Sequence, residues 1–153
     1  ERLRQKIARL LLGDKGHARE DVHARVPVVA RAGDKVFPVA VDFVVHAKGR
    51  PAMVVRFGPG SLVTRHRPAL AAARLAHREQ VPVVVVTNGR DADVLRGDTG
   101  KVYGQGLAAI PSREELAAMA ERWPYPALDE KRLEKEARIL HAFEAVGACG
   151  CDS

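Results

Sequence analysis

Residues 81–86 read Val-Pro-Val-Val-Val-Val, a run with no polar side to turn toward water. It predicts a central, buried strand, apolar on both faces, and such a strand needs cover on each side of its sheet. Phe37 to Val45 is apolar nearly throughout and predicts a second strand covered on both faces. Pro38 falls near its start, where a missing N–H is tolerated.

The other elements follow from periodicity and turn chemistry. Leu3, Ile7, Leu10 and Leu11 recur at helical spacing and predict a helix over 2–12, ended by Gly13 and Gly16. Val22, Ala24, Val26, Val28 and Ala30 alternate as in a strand, and Gly33-Asp34 marks a tight hairpin turn. Lys48-Gly49-Arg50-Pro51 is the next turn, leading into a third strand from Ala52 to Phe57. A helix is predicted over 66–79, with Pro68 in its first turn. Ala92–Leu95 and Val102–Gln105 predict a short edge hairpin, and Ser112 with Glu115 makes a capping box for a helix to about Arg122. A long final helix is predicted from Asp129 to Val146, with Leu133, Ala137, Leu140 and Phe143 on one stripe. The fold class is therefore α/β: a mixed-sheet sandwich with an α-β-β-β-α-β core and two C-terminal helices.

Residues 1–110 read as the core domain, 111–148 as a helical extension packed on it, and 149–153 as a tail. Cys149 and Cys151 are too closely spaced for an easy disulfide and lack a second pair for zinc, so a reduced tail and a cytoplasmic address are expected. Charge and apolar residues alternate from Glu1 to Leu12, unlike a signal peptide. The chain opens on Glu rather than Met, which implies a preceding segment. There is no run of about 18 apolar residues, so no membrane span is expected.

Charge is uneven. Residues 1–111 carry 19 Lys and Arg against 10 Asp and Glu, whereas residues 112–153 carry 6 against 9. A basic body points to a polyanion partner. Lys48, Arg50, Arg65, Arg67, Arg74, Arg78, Asn88 and Arg90 are the candidate nucleic-acid contacts, with Arg67, Arg74 and Arg78 spaced to share one helix side. A solvated helix face with local ion pairs is the competing reading. Trp123, Tyr125, Tyr103 and the Phe residues are not interleaved with these cations, so no aromatic platform for single strands is expected.

Asp42 is an ionisable residue inside Val39-Ala40-Val41-Asp42-Phe43-Val44-Val45, and it needs a partner, a metal or an exposed face. Around it, an ordered set of segments resembles the N-terminal PD-(D/E)XK nuclease domain of type I restriction enzyme R subunits. Glu1-Arg2-Leu3-Arg4-Gln5 is similar to that family's first helix, and Val41-Asp42-Phe43-Val44-Val45 to the strand bearing its first catalytic Asp. Arg50-Pro51-Ala52-Met53-Val54-Val55 resembles the approach to its Glu-x-Lys strand. Val81-Pro82-Val83-Val84-Val85-Val86-Thr87-Asn88-Gly89 resembles the strand and loop that follow its helix, and Gly100-Lys101-Val102 the turn after that.

The resemblance implies a restriction-endonuclease-like fold; DNA is the favoured nucleic acid, although neither the residues nor the resemblance separates DNA from RNA. The resemblance also implies a metal site in which carboxylates hold Mg²⁺ and a Lys steadies developing charge. Asp42 and Glu1 stand at its acid positions, but Arg56 falls where the second strand acid belongs and Gly58 where the Lys belongs. Ala71 and Leu75 replace its Gln-x-x-x-Tyr pair. A cation at about 4 Å opposes another at about 4 kcal/mol per unit of charge product in an effective dielectric near 20. Arg56 is therefore expected to pair with Asp42 rather than sit beside a metal. The reading is a nuclease-like domain that binds nucleic acid or a protein partner without cutting and without a cofactor. Two alternatives stand beside it. One is an active Mg²⁺-dependent DNA endonuclease with a migrated or partner-completed site at Asp42; the other is a protein-interaction module with no nucleic-acid role. Oligomeric state is not encoded in any of these features.

Overall fold

The computed structural model describes residues 2–58, 60–77 and 79–151. In chain order they form α1 (Arg2–Arg9), β1 (Val22–Ala32), β2 (Lys35–Ala47), β3 (Arg50–Phe57), α2 (His66–Ala76), β4 (Val83–Thr87), β5 (Ala92–Arg96), β6 (Val102–Gln105), α3 (Arg113–Arg122) and α4 (Glu130–Cys151). The strands make one mixed sheet in sequential order, β1-β2-β3-β4-β5-β6. β3 and β4 run parallel because α2 carries the chain back between them, while the other neighbouring pairs are antiparallel hairpins.

Alternation along the central strands builds two cores. Val54, Val84 and Val86 pack with Ala69–Ala73 of α2 and Ala137 and Leu140 of α4. Met53, Val55, Val83 and Val85 pack with Ile7 and Leu11 near α1 and with Leu116 and Met119 of α3. Val83–Thr87 is buried at every position, as an apolar run with no polar side requires.

The turns form as their residues dictate. Gly33, at φ 62°, and Asp34 close the β1–β2 hairpin, and Lys48 and Gly49, at φ 54° and 75°, close β2–β3. Two positive-φ residues in a two-residue loop match the right-handed twist of the strands they join. The Ser112 box is present in both directions: its hydroxyl accepts from Glu115 N at 3.2 Å, and Glu115 accepts from Ser112 N at 3.0 Å.

Several expectations change. The first helix stops at Arg9 and continues as a wider turn over Leu10–Asp14, closed by Lys15 N on Leu10 O at 2.9 Å. The second helix ends at Ala76 rather than residue 79. The expected edge hairpin does form, as β5 and β6, with β5 buried against β4 and β6 at the edge. β2 is covered on both faces only in its second half. Toward the hairpin tip Val36 of β2 and Val29 of β1 are each 57% exposed. β3 ends short of the hairpin tip, so there β2 pairs with β1 alone. The last helix runs past Val146 to Cys151, taking in part of the expected tail. Gly147 and Gly150 lower helix stability without terminating it. No helix among the described residues is long and apolar enough to cross a membrane.

Candidate functional site

Asp42 sits where the sheet forks. The β2–β3 ladder begins at Phe43↔Val55, and below that point β2 continues with β1 alone. Opposite the fork, Arg25 has φ 51°, and the β1–β2 ladder skips the pair it would make with Asp42. The hairpin turns over here: Val39 and Val41 pack in the α2/α4 core, whereas Phe43 and Val45 pack in the α1/α3 core. At a fork a backbone N–H loses its ladder acceptor and must find another. Asp42 Oδ2 accepts from Phe57 N at 2.6 Å. Its other oxygen, Oδ1, accepts from Arg4 Nε of α1 at 2.6 Å. The carboxylate is 7% exposed, with both oxygens engaged by donors. Charge-assisted bonds of this length are among the stronger ones in proteins.

Arg56 does not pair with Asp42. It follows Val55 at the end of β3 and reaches toward the α2/α4 side, donating Nη1 to Pro68 O at 3.5 Å and Nη2 to the Glu144 carboxylate. The expected cross-strand pair fails because Arg4 reaches Asp42 from α1, in the opposite helical layer. Gly58 bonds Thr87 O through its N–H at 2.9 Å. A Cβ built on Gly58 would lie 3.1 Å from Arg65 Cδ and 3.2 Å from its Nε. Arg65 therefore lies across the place where a side chain at 58 would begin, bringing a cation there from the turn before α2.

The Thr87–Arg90 loop frames the fork from β4. Thr87 donates its hydroxyl to Asp91 O at 2.7 Å and accepts Gly89 N at 3.0 Å. Asn88 Oδ1 accepts the N–H groups of Arg90 and Asp91 at 2.9 and 2.8 Å, and its amide donates to Gly60 O at 3.3 Å. Gly89, at φ 87°, lets α1 seat closely: an added Cβ would meet Leu3 Cδ2 at 2.8 Å. Asn88 thus holds two loops together, and its polar atoms face the backbone. Arg90 beside it is exposed.

The structure divides the basic residues. Arg67 and Arg74 turn inward to Glu136 of α4, at 2.7 and 3.2 Å, so the shared stripe on α2 is a helix–helix contact and not a solvent face. Arg50 pairs with Glu79 and lies 3.5 Å from the centroid of the Tyr125 ring, while Lys48 pairs with Glu121. Arg65 and Arg90 are exposed near the fork. Glu1 and Arg78 lie outside the described residues.

One polar pair escaped the sequence reading. The Asp93 carboxylate of β5, 5% exposed, lies 2.7 Å from His66 Nε2, and Gln105 Nε2 approaches it at 3.4 Å. It lies across from Val86, which in turn pairs with Arg56. A lone acid inside the apolar run Ala92–Leu95 was the available signal, the same signal that marked Asp42. Through His66, the pair pins the first turn of α2 to the sheet.

Mg²⁺ prefers several carboxylate or water oxygens in octahedral array. The described residues do not fit that demand: Asp42 is held by two donors, the next strand offers Arg56, and no three His, Cys, Asp or Glu side chains among them converge to hold a metal.

The fold and fork define an α/β domain with a strand acid beside α1 and a β-strand–loop end framed by arginines. The family model for the type I restriction enzyme R protein N terminus matches residues 1–111, and the chain belongs to that family. No curated protein and no solved structure matches it. The match ends before α3, so Glu136 and Glu144, which engage Arg67, Arg74 and Arg56, come from beyond it.

Proposed function

We propose that this domain is a restriction-endonuclease-like, PD-(D/E)XK-type sandwich whose nuclease centre has been converted from a metal site into an ion-paired anchor. In this reading it binds DNA phosphates through the surrounding arginines and does not cut. The observation that carries the reading is Asp42, with Arg4 on one oxygen and the Phe57 N–H on the other, both at 2.6 Å. A metal would have to displace both donors and then find its second ligand at Arg56. The phosphate-binding part rests on Arg65 and Arg90, which are exposed on the two loops beside the fork. Arg67 and Arg74 serve the buried Glu136 carboxylate instead.

The test is affinity for a labelled DNA duplex, read by anisotropy as salt is raised. Two or three phosphate contacts predict a log–log slope of about −2 to −3. Arg65→Ala is expected to reduce that slope by about 1. Arg67→Ala is expected to leave it unchanged, because Arg67 serves Glu136. Absence of binding at low salt would overturn the nucleic-acid reading in favour of a protein-interaction module.

A further inference from the structure

Tyr103 lies on β6, at the sheet edge three strands from β3. It is 55% exposed, and Val102 beside it is 46% exposed. The fold brings Trp123, at the end of α3, against it: the ring centroids are 4.9 Å apart and the planes 79° from parallel. Arg96 lies 4.7 Å from the centroid of the Trp123 ring, held in place by Asp98 through bonds of 3.0 and 2.8 Å. The tyrosine ring thus packs edge-on against Trp123 while the residue stays more than half open to solvent. Fixing an aromatic ring in advance lowers the ordering cost of anything that stacks on it.

Two cations flank the ring pair in sequence. Lys101 and Arg122, the chain neighbours of Val102 and Trp123, are both exposed. Two acids close to them in sequence are paired within the molecule, Asp98 with Arg96 and Glu121 with Lys48. Sequence alone placed these aromatics twenty positions apart, so the platform exists only in the folded chain.

We infer that this edge is a stacking site for single-stranded nucleic acid, with a base on Tyr103 and the flanking phosphates on Lys101 and Arg122. A platform plus cations suits a single strand because every unstacked base offers a π-face, whereas duplex bases are already stacked on each other. The site is separate from the rim around Asp42, and either can fail without the other.

Trp123 is the chain's one tryptophan, so its fluorescence reports on the platform directly. An oligo(dT) of about 20 nucleotides, long enough for several base-stacking contacts, is titrated into the whole chain at low salt. The expected result is saturable quenching, with far less from a blunt duplex of equal length. Tyr103→Ala is expected to weaken binding about tenfold, read by anisotropy of the labelled oligonucleotide, and Tyr103→Phe to preserve it. Unchanged circular dichroism in both variants separates stacking from folding. No quenching at low salt, or binding that Tyr103→Ala leaves unchanged, would overturn the proposal. Equal quenching by duplex and single strand would overturn it as well.

Discussion

Replacing Glu136 with alanine is expected to lower the unfolding free energy by about 3–5 kcal/mol. Glu136 is fully buried, yet it sits among three arginines. Arg67 holds it with two bonds of 2.8 and 2.7 Å, Arg74 approaches at 3.2 Å and Arg132, one turn earlier on α4, at 3.3 Å. Arg67 and Arg132 are partly exposed and can turn to water. Arg74 cannot: it is 5% exposed, and losing Glu136 strands a guanidinium inside the α2/α4 core. Removing one partner of a buried pair is costly for that reason, even where the intact pair adds little net stability. A domain of this size holds only about 5–15 kcal/mol in total, so a fall in Tm on the order of 10 °C is expected. The same carboxylate makes stability depend on acid. Burial pushes the Glu136 pKa up, but the Arg67 bond and the Arg67 and Arg74 charges outweigh it and hold it below the ordinary value. A depressed folded pKa means that the contribution is complete above the unfolded value of about 4.3 and is lost as pH falls through the folded one. Melting curves from pH 6 downward test both points: the native chain should lose Tm more steeply in acid than Glu136→Ala.

Gly97→Ala is expected to cost about 3 kcal/mol, in a position that carries no side chain at all. A Cβ there would stand 1.9 Å from the Val81 carbonyl oxygen and 3.1 Å from its carbon. Both are backbone, and the segment cannot retreat. Gly97 N donates to Pro82 O at 2.8 Å, while Gly97 O accepts from Arg74 at 3.2 Å and from the Gln80 amide. Relief would mean pulling the β5–β6 turn away from the start of β4 and breaking these bonds. The control is Gly13→Ala, where an added Cβ meets nothing within 4 Å. There alanine should be neutral or stabilising by up to about 1 kcal/mol. Urea midpoints of the two variants therefore separate close approach from a general effect of adding a methyl group.

The elements that were legible in the sequence are those whose local chemistry agrees with the global fold. Val83–Val86 could only be a covered strand, Gly33-Asp34 only a tight turn, and Ser112 with Glu115 only a helix start. What escaped depended on distance along the chain. Helical spacing put Arg67 and Arg74 on one stripe of α2, but it does not say whether a polar stripe meets water or a carboxylate. The answer, Glu136, lies more than sixty residues away. Asp42 was conspicuous as an acid in an apolar strand, and its partner was expected on the adjacent strand. The fork places Arg4 of α1 nearer, and a register argument carries no information about a helix packed over a sheet. Arg56 likewise finds its carboxylate on α4, beyond the part of the chain that the family match covers. Tyr103 and Trp123 meet only because β6 closes the sheet beside α3.

These contacts share a direction. Where the resemblance implied carboxylates around a metal, the folded chain has arginines on carboxylates, Arg4 on Asp42 and Arg56 on Glu144, and Arg65 lies across Gly58, the expected Lys position. In the proposed reading, a centre so rearranged favours anions at its rim and opposes a divalent cation at its middle.

The most direct measurement is amide NMR of the whole chain during titration with Mn²⁺, whose unpaired electrons broaden any signal close to a bound ion. The ion-paired anchor predicts that the amides of Asp42, Phe57 and Arg4 stay sharp at millimolar Mn²⁺. Selective broadening of those amides, abolished by Asp42→Ala and accompanied by Mn²⁺-dependent plasmid nicking, would contradict it and restore a working metal site at the fork.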